Sequence, residues 1–150
     1  MTKLIAGNWK MNGGQSLVAS MAAALADYQG AADVVVCPPF PYLASAREQL
    51  PEAIGLGAQN VSDQTGGAFT GEVSASMLAE TGCGYVIIGH SERRALYAES
   101  DAQIADKFAQ VQAAGLIPVL CVGETLAERE ADNTEAVVCG QLQAVIDAVG

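Results

Sequence analysis

The chain has 150 residues, of which 51% are hydrophobic, and its mean hydropathy is +0.25. This composition excludes an intrinsically disordered protein, and the length fits a single domain over residues 1–150. Seventeen acidic residues against seven basic ones give a net charge of −10. That charge argues against nucleic acid and anionic membrane surfaces as partners. An anionic substrate is still compatible with it, because one lysine and a few backbone amides can hold a phosphate.

The four cysteines are spaced widely and irregularly, at Cys37, Cys83, Cys121 and Cys139. With His90 as the only histidine they form no zinc-binding pattern, so we expect no metal site. Three of them lie in or beside apolar runs, which is typical of reduced, buried thiols in a cytosolic protein. The sequence has no signal-peptide pattern and no run of about 18 apolar residues. We therefore expect a cytoplasmic protein.

Five short apolar segments predict β-strands, and a helical pattern follows each of them. The predicted strands are residues 4–6, 34–36, 54–58, 85–88 and 117–122. The predicted helices are residues 16–29, 42–50, 74–80, 100–114 and 132–149, with a further short helix beginning at Ser91. Each unit therefore consists of a strand followed by a helix.

Two of these helices begin with residues that are typical of a capping box. Ser100 and Gln103 have the required spacing at the start of the fourth long helix, and Asp132 and Glu135 have it at the start of the last one. Tyr28 is expected to be the last residue in the apolar stripe of the first helix.

Five consecutive βα units predict a parallel sheet with right-handed crossovers and helices outside it. A doubly wound open sheet and part of an eightfold barrel both fit this order. No G-x-G-x-x-G follows the first strand, so the dinucleotide-binding signature is missing. Polar residues recur where strands end, as expected for a barrel that builds one site from several strands. They are Asn8, Lys10, Gln59, Asn60, His90 and Glu124. We therefore predict an α/β fold, a partial (β/α)₈ barrel of five parallel units.

The segment from Tyr85 to Arg94, YVIIGHSERR, carries the clearest functional signal. A buried strand ends at Gly89, and His90 follows at the strand's carboxyl end, where ligands bind in α/β proteins. A histidine in that position is a candidate for proton chemistry. Taken alone, the segment is equally compatible with a histidine that only caps the strand.

Four segments, in the same order along the chain, resemble the triosephosphate isomerase family. They are GNWKMN at 7–12, AQNVSDQTGGAFTGEVS at 58–74, VIIGHSERR at 86–94 and PVLCVGE at 118–124. The resemblance implies a (β/α)₈ barrel of roughly 250 residues. It also implies interconversion of dihydroxyacetone phosphate and glyceraldehyde 3-phosphate without a cofactor.

The resemblance assigns roles to individual residues of this chain. Lys10 matches the lysine that binds the substrate, with its ammonium near the phosphate and the carbonyl. Asn8 matches an asparagine that donates a hydrogen bond to the substrate oxygens. His90 matches the histidine that polarises the carbonyl and moves protons between the two oxygens. Glu92 matches a glutamate near this histidine and lysine, although a helix N-terminus also favours glutamate for structural reasons alone.

Lys10 leaves a second chemical interpretation open, a Schiff-base lysine as in an aldolase. Trapping with borohydride in the presence of substrate distinguishes the two. Trp9, Arg94 and Cys121 are expected to pack around the site rather than to react.

The general base of the family is a glutamate in a YEPVW-like stretch after the sixth strand, and these 150 residues contain no such stretch. Glu92 and Glu124 are the nearby carboxylates, and neither matches the motif of the base. The lid and the glycine-rich phosphate loops of the last units have no counterpart either. We therefore expect the chain alone to be oligomeric or loosely folded, with negligible isomerase activity.

Three hypotheses follow for the function. The first is an isomerase polypeptide whose last three βα units come from a complementary second chain. The second is a non-catalytic interaction module that retains half a site. The third is a fragment of this barrel, excised or designed for the study of folding.

The glycine-rich loop over residues 61–73 is predicted to be an interface element. It carries Phe69 and Thr70 at its tip, and an exposed phenylalanine in a mobile loop is unfavourable unless another surface covers it. The resemblance implies a homo-oligomer in which this loop enters a neighbouring subunit, with Thr70 near that subunit's lysine and histidine. The alternative is a loop packed within its own chain.

Overall fold

The computed structural model describes residues 3–150 and contains one five-stranded parallel sheet with helices between its strands. The strands are β1 (Leu4–Asn8), β2 (Asp33–Cys37), β3 (Ile54–Ala58), β4 (Tyr85–Ile88) and β5 (Ile117–Leu120). The helices are α1 (Gln15–Leu25), α2 (Leu43–Gln49), α3 (Ala75–Glu80), α4 (Ser91–Tyr97), α5 (Asp101–Ala113), α6 (Leu126–Glu130) and α7 (Thr134–Val149). A 3₁₀ turn over Phe40–Tyr42 precedes α2.

The strands pair in sequence order, β1-β2-β3-β4-β5, and every pair is parallel. The sheet curls into a half-barrel, which confirms the predicted partial barrel of five βα units. Because all five strands run in the same direction, their carboxyl ends meet at one end of the half-barrel. Within the described residues β1 and β5 are the edges of the sheet.

The inner strands β2, β3 and β4 bury side chains on both faces of the sheet, since successive residues of a strand point to opposite sides. Val36 and Ile88 face the helices and belong to the larger apolar core, which also contains Leu43, Leu56, Leu78 and Val111. Val35 and Ile87, one position earlier in their strands, face the concave side of the sheet with Cys37. This two-sided burial explains why β2 and β4 appear in the sequence as continuous apolar runs, whereas β1 and β5 at the edges are more exposed.

Several predicted element boundaries differ from the structure, among them the ends of β1, α1 and β5 and the start of α7. Helix α1 ends at Leu25, so Tyr28 lies beyond it, and its hydroxyl donates to the carbonyl of Ala32 at 3.0 Å. Strand β5 ends at Leu120 because its partner β4 ends at Ile88, where the register stops. Gly89 follows β4 directly, and its φ of +69° turns the backbone away from the strand direction.

The predicted capping box of α5 is confirmed, and the one at α7 is wrong. Ser100 accepts a hydrogen bond from the Gln103 amide at 3.3 Å, and the Gln103 side chain accepts from the Ser100 amide at 3.1 Å. Asp132 cannot cap α7 because its φ of +59° is left-handed; the N-cap is Asn133, which makes no side-chain cap bond. A capping box that we did not predict, Thr125 with Glu128, opens α6.

We expect Ser100→Ala to lower the free energy of unfolding by about 1 kcal/mol, because the first turn of α5 loses its side-chain acceptor. Urea unfolding followed by circular dichroism measures this. Ser20→Ala is the control, since Ser20 lies inside α1 and its hydroxyl donates only to the carbonyl of Ser16. Equal stability of the two variants would contradict the capping role.

The cysteines occupy different environments, although all four are free thiols. Cys37 and Cys83 are buried as predicted, Cys121 is half-buried, and Cys139 is exposed on α7. Burial raises the pKa of Cys37 to about 12, with a smaller contribution from Cys83. Over residues 3–150, no helix combines the length and the apolar character needed to cross a membrane.

Candidate active site

A cavity of about 450 Å³ opens where the strands end, and it is lined by Asn8 of β1 and by residues that follow β1, β2, β3 and β4. Asn8 is the last residue of β1, Lys10 follows two positions later, and His90 and Glu92 lie at the start of α4. The structure therefore brings together side chains that are far apart in the sequence. The polar residues lining the cavity are Asn8, Lys10, Gln59, Asn60, His90, Glu92 and Arg93.

Lys10 and Glu92 form an ion pair at the cavity, with 2.7 Å between Nζ of Lys10 and Oε1 of Glu92. Both side chains are about half exposed, at 54% and 47%. The hydrogen bond from Lys10 is the main cause that lowers the pKa of the Glu92 carboxyl; burial opposes it, and the positive charge of Lys10 adds to the lowering. Glu92 therefore stays ionised and fixes the position of the lysine ammonium.

The backbone at Lys10 adopts an uncommon conformation, with a φ of +53°. A left-handed non-glycine residue costs about 1–3 kcal/mol, which the surrounding structure must offset. The Lys10 amide donates to Oδ1 of Asn8 at 2.9 Å. Because this bond uses the Asn8 oxygen, the amide nitrogen of Asn8 is left as a donor at the cavity wall.

His90 is the N-cap of α4, and its Nδ1 accepts a hydrogen bond from the Glu92 amide at 3.2 Å. A nitrogen that accepts a hydrogen bond carries no hydrogen, so the ring hydrogen lies on Nε2 and makes that nitrogen a donor. Oε2 of Glu92 lies 3.6 Å from the same Nδ1. Glu92 thus contacts both of the other candidate catalytic side chains.

Glu124 does not line the cavity, although it also follows the end of a strand. Its carboxylate accepts hydrogen bonds from Arg129 at 2.7 Å and from Thr134 at 3.3 Å. A hydrogen bond from its own backbone amide, followed by the bond from Arg129, lowers the pKa of Glu124. Glu124 ties α6 and α7 to the end of β5.

Apolar side chains form the rest of the cavity wall, and the sequence analysis missed them. Met11, Leu96 and Tyr97 are 98%, 74% and 67% exposed. The guanidinium of Arg93 lies 4.7 Å from the centre of the Tyr97 ring, a cation–π contact. No pattern pointed to these residues, because exposed apolar side chains next to a site carry no periodic signal.

The loop over residues 61–73 closes at its base and exposes its tip. The Ser62 amide donates to the carbonyl of Val73 at 2.8 Å. Phe69 is 47% exposed, and Thr70 is exposed beside it. The tip is therefore accessible to another surface, which is the condition for the predicted interface.

No group of three or more histidine, cysteine or acidic side chains that could hold a metal ion occurs between residues 3 and 150.

A family model described as "Triosephosphate isomerase" matches residues 3–150. The chain belongs to the triosephosphate isomerase family. It is 72% identical over 149 residues to a triosephosphate isomerase of Alcanivorax borkumensis, covering 99% of this chain and 60% of that relative. The corresponding protein of Halorhodospira halophila is 62% identical over 148 residues, covering 99% of this chain and 59% of the relative.

A third relative, the triosephosphate isomerase of Thiobacillus denitrificans, is 57% identical over 149 residues, covering 99% of this chain and 60% of the relative. The chain thus spans about 60% of the length of the curated relatives that it matches. The predicted membership of the family is confirmed.

Proposed function

We propose that this chain forms the carbonyl-polarising half of the active site of a triosephosphate isomerase. The full site would interconvert dihydroxyacetone phosphate and glyceraldehyde 3-phosphate and would need the three remaining βα units of the barrel. The observation that carries this proposal is the position of Glu92, 2.7 Å from the Lys10 ammonium and 3.6 Å from the His90 ring nitrogen in one cavity.

The reaction explains the choice of side chains. A proton leaves the carbon beside a carbonyl, and negative charge develops on the oxygen as the enediolate forms. Nε2 of His90 and the amide nitrogen of Asn8 are donors suited to that oxygen, and the Lys10 ammonium suits the phosphate and the same charge. A single donor aimed at such an oxygen is worth about 100- to 1,000-fold in kcat.

Neither nearby carboxylate suits the role of general base. Glu92 is paired with Lys10, and Glu124 is paired with Arg129 outside the cavity. The pKa of each is lowered, which makes each a weaker base than an ordinary glutamate. We therefore propose that the base belongs to the part of the barrel that pairs with β5, supplied by a complementary chain or by further residues of the same polypeptide.

Isomerase assays of residues 1–150, alone and completed, test this proposal. The completing partner is a polypeptide with the last three βα units of the Alcanivorax borkumensis relative. We expect negligible turnover from residues 1–150 alone, since loss of a general base removes about 100- to 10,000-fold from the rate. Activity should appear when the two polypeptides are combined. Near-normal turnover by residues 1–150 alone, free of host enzyme, would contradict the proposal, and a non-catalytic module would stay inactive in both assays.

The aldolase-like alternative for Lys10 is disfavoured by its ion pair. A Schiff-base lysine must lose its proton before it attacks a carbonyl, whereas the Glu92 carboxylate stabilises the protonated form. Borohydride added with substrate should leave the mass of the protein unchanged.

The free thiols of the chain fit a reducing compartment, and we place the protein in the cytoplasm.

We further propose that Phe69 and Thr70 contact a second copy of the chain, and Phe69→Ser tests this. Phe69 is 47% exposed, and Met11, Leu96 and Tyr97 offer exposed apolar surface at the cavity. We expect Phe69→Ser to shift the sedimentation profile towards smaller species.

Leu126→Ser is the matched control for that variant, since Leu126 is 71% exposed on α6 and lies outside the loop. An unchanged profile for Phe69→Ser would favour a loop packed within its own chain.

A further inference from the structure

Arg94 is a largely buried cation that the proposed chemistry does not use. It lies on α4, and its side chain is 16% exposed. Its Nε donates to the carbonyl of Gly89 at 2.9 Å, and its Nη1 pairs with Asp101 at the start of α5. Its third nitrogen, Nη2, is buried and has no acceptor among residues 3–150. A buried donor without an acceptor is costly, so this nitrogen requires an explanation.

Nη2 lies at the carboxyl ends of β4 and β5. A Cβ built on Gly89 would sit 3.2 Å from Nη2 and 3.0 Å from the carbonyl oxygen of Cys121, the residue after β5. On its other side β5 has no neighbouring strand among residues 3–150. A parallel strand added there would lie about 4.8 Å from β5, and its carboxyl end would join those of β4 and β5 at the same end of the half-barrel as Nη2.

The charge on Arg94 indicates what kind of acceptor it takes. Asp101 already balances the guanidinium, so a second carboxylate is not needed. The bond from Nε to Gly89 shows that this guanidinium binds main-chain carbonyls at the ends of strands. We infer that Arg94 is a positioning residue whose Nη2 donates to a main-chain carbonyl at the carboxyl end of the strand that pairs with β5 in the completed barrel.

This inference rests on the proposed function, in which the general base follows that strand. Gly89 directly precedes His90 in the sequence. The Arg94 guanidinium would therefore connect the backbone next to His90 with the segment that carries the general base. The distance between the two catalytic groups would then depend on one guanidinium.

Binding of the two parts of the barrel tests the inference without reference to activity. Calorimetry would titrate residues 1–150, as wild type or Arg94→Lys, with the polypeptide that supplies the last three units. Lysine keeps the charge but lacks the fork, so we expect affinity to fall about 10- to 100-fold. Arg47→Lys is the matched control, because Arg47 also donates to main-chain carbonyls, those of Leu50, Pro51 and Ile54, and should leave the affinity unchanged.

Kinetics of the completed barrel give a second measurement. We expect Arg94→Lys to lower kcat while KM stays unchanged, because the variant displaces the base and leaves the substrate-binding side chains in place. Equal affinity and equal kcat for Arg94→Lys and wild type would overturn the inference while leaving the isomerase proposal intact. A wild-type barrel that assembles but does not turn over would overturn the proposed function, and the calorimetry would still decide the role of Arg94.

A measurement on the wild-type chain covers the case in which Arg94→Lys does not fold. Nitrogen NMR of the arginine side chains follows the Nη2 hydrogens of Arg94 as the partner polypeptide is added. Slowed exchange of these hydrogens with solvent supports the inference. Unchanged exchange in the assembled barrel, as for a nitrogen that only binds water, contradicts it.

Discussion

Lys10→Ala is expected to lower kcat/KM of the completed barrel by about 100- to 1,000-fold, the loss typical of removing one donor to a developing oxyanion. The ammonium is held at the cavity by Glu92 at 2.7 Å, so it is in place before substrate arrives. Alanine at a φ of +53° is no more strained than lysine, so the variant changes the charge and leaves the backbone as it is. Steady-state assays with glyceraldehyde 3-phosphate measure the effect.

Lys3→Ala is the matched control, because Lys3 is another exposed lysine and does not line the cavity. It should retain wild-type kcat/KM, which separates the loss of one positive charge from the loss of this ammonium. If both lysine variants lost activity equally, the effect would come from net charge alone. If neither did, Lys10 would be a surface residue and the proposed substrate contact would be wrong.

The inner strands could be predicted from the sequence because their side chains are buried on both faces of the sheet. Val34–Val35–Val36 and Tyr85–Ile88 are continuous apolar runs for that reason, and their limits are nearly those of β2 and β4. The predicted end of β5 was wrong because the length of a strand depends on the hydrogen bonds that its partner strand offers as well as on its own residues. Ile117 to Val122 stays apolar past Leu120, but the pairing with β4 stops at Ile88.

Capping patterns show what sequence alone leaves undecided. Asp132-x-x-Glu135 and Thr125-x-x-Glu128 both fit the capping-box spacing, and only the second forms one. The difference lies in the backbone, since Asp132 is left-handed at the end of the turn that follows α6. A local pattern does not specify that conformation.

The sequence motifs identified the residues of the candidate site, whereas the contacts between these residues are visible only in the folded structure. Lys10 and Glu92 are 82 positions apart, and only the curl of the sheet puts their side chains within 2.7 Å. The acceptor role of His90 Nδ1 depends on its place as the N-cap of α4. The buried ion cluster around Glu99 gave no signal in the sequence, because Arg93 and Lys107 resemble ordinary charges on a helix surface and Glu99 lies in the short connection between α4 and α5.

Glu99 is the centre of that cluster. Its Oε1 accepts hydrogen bonds from Nε of Arg93 at 2.6 Å and from Nζ of Lys107 at 2.5 Å. Lys107 also donates to Oδ1 of Asn60 at 2.8 Å, which joins α5 to the loop after β3. The side chains of Glu99 and Lys107 are only 7% and 8% exposed. Removing the carboxylate would leave a buried ammonium without a counter-charge.

We expect Glu99→Gln to lower the free energy of unfolding by about 3–5 kcal/mol at neutral pH, the usual result of breaking a buried ion pair from one side. Urea unfolding at neutral pH measures the loss. Glu48→Gln on α2 is the matched control, since Glu48 is exposed, and it should change stability by less than about 0.5 kcal/mol. Similar stabilities for the two variants would show that Lys107 finds another counter-charge.

The ion cluster around Glu99 should make the free energy of unfolding depend on pH in the acidic range. Burial acts to raise the pKa of Glu99, but the hydrogen bonds and charges of Lys107 and Arg93 outweigh it and hold the pKa below the ordinary value near 4.5. A carboxylate with a lowered pKa stabilises the folded chain above that ordinary value, and the stabilisation is lost as pH falls through the lowered pKa. The stability difference between wild type and Glu99→Gln should therefore be constant near neutral pH and should shrink as pH falls below about 4.5. Urea unfolding across this range measures the difference, and one that stayed constant at acidic pH would show that Glu99 does not titrate in the folded chain.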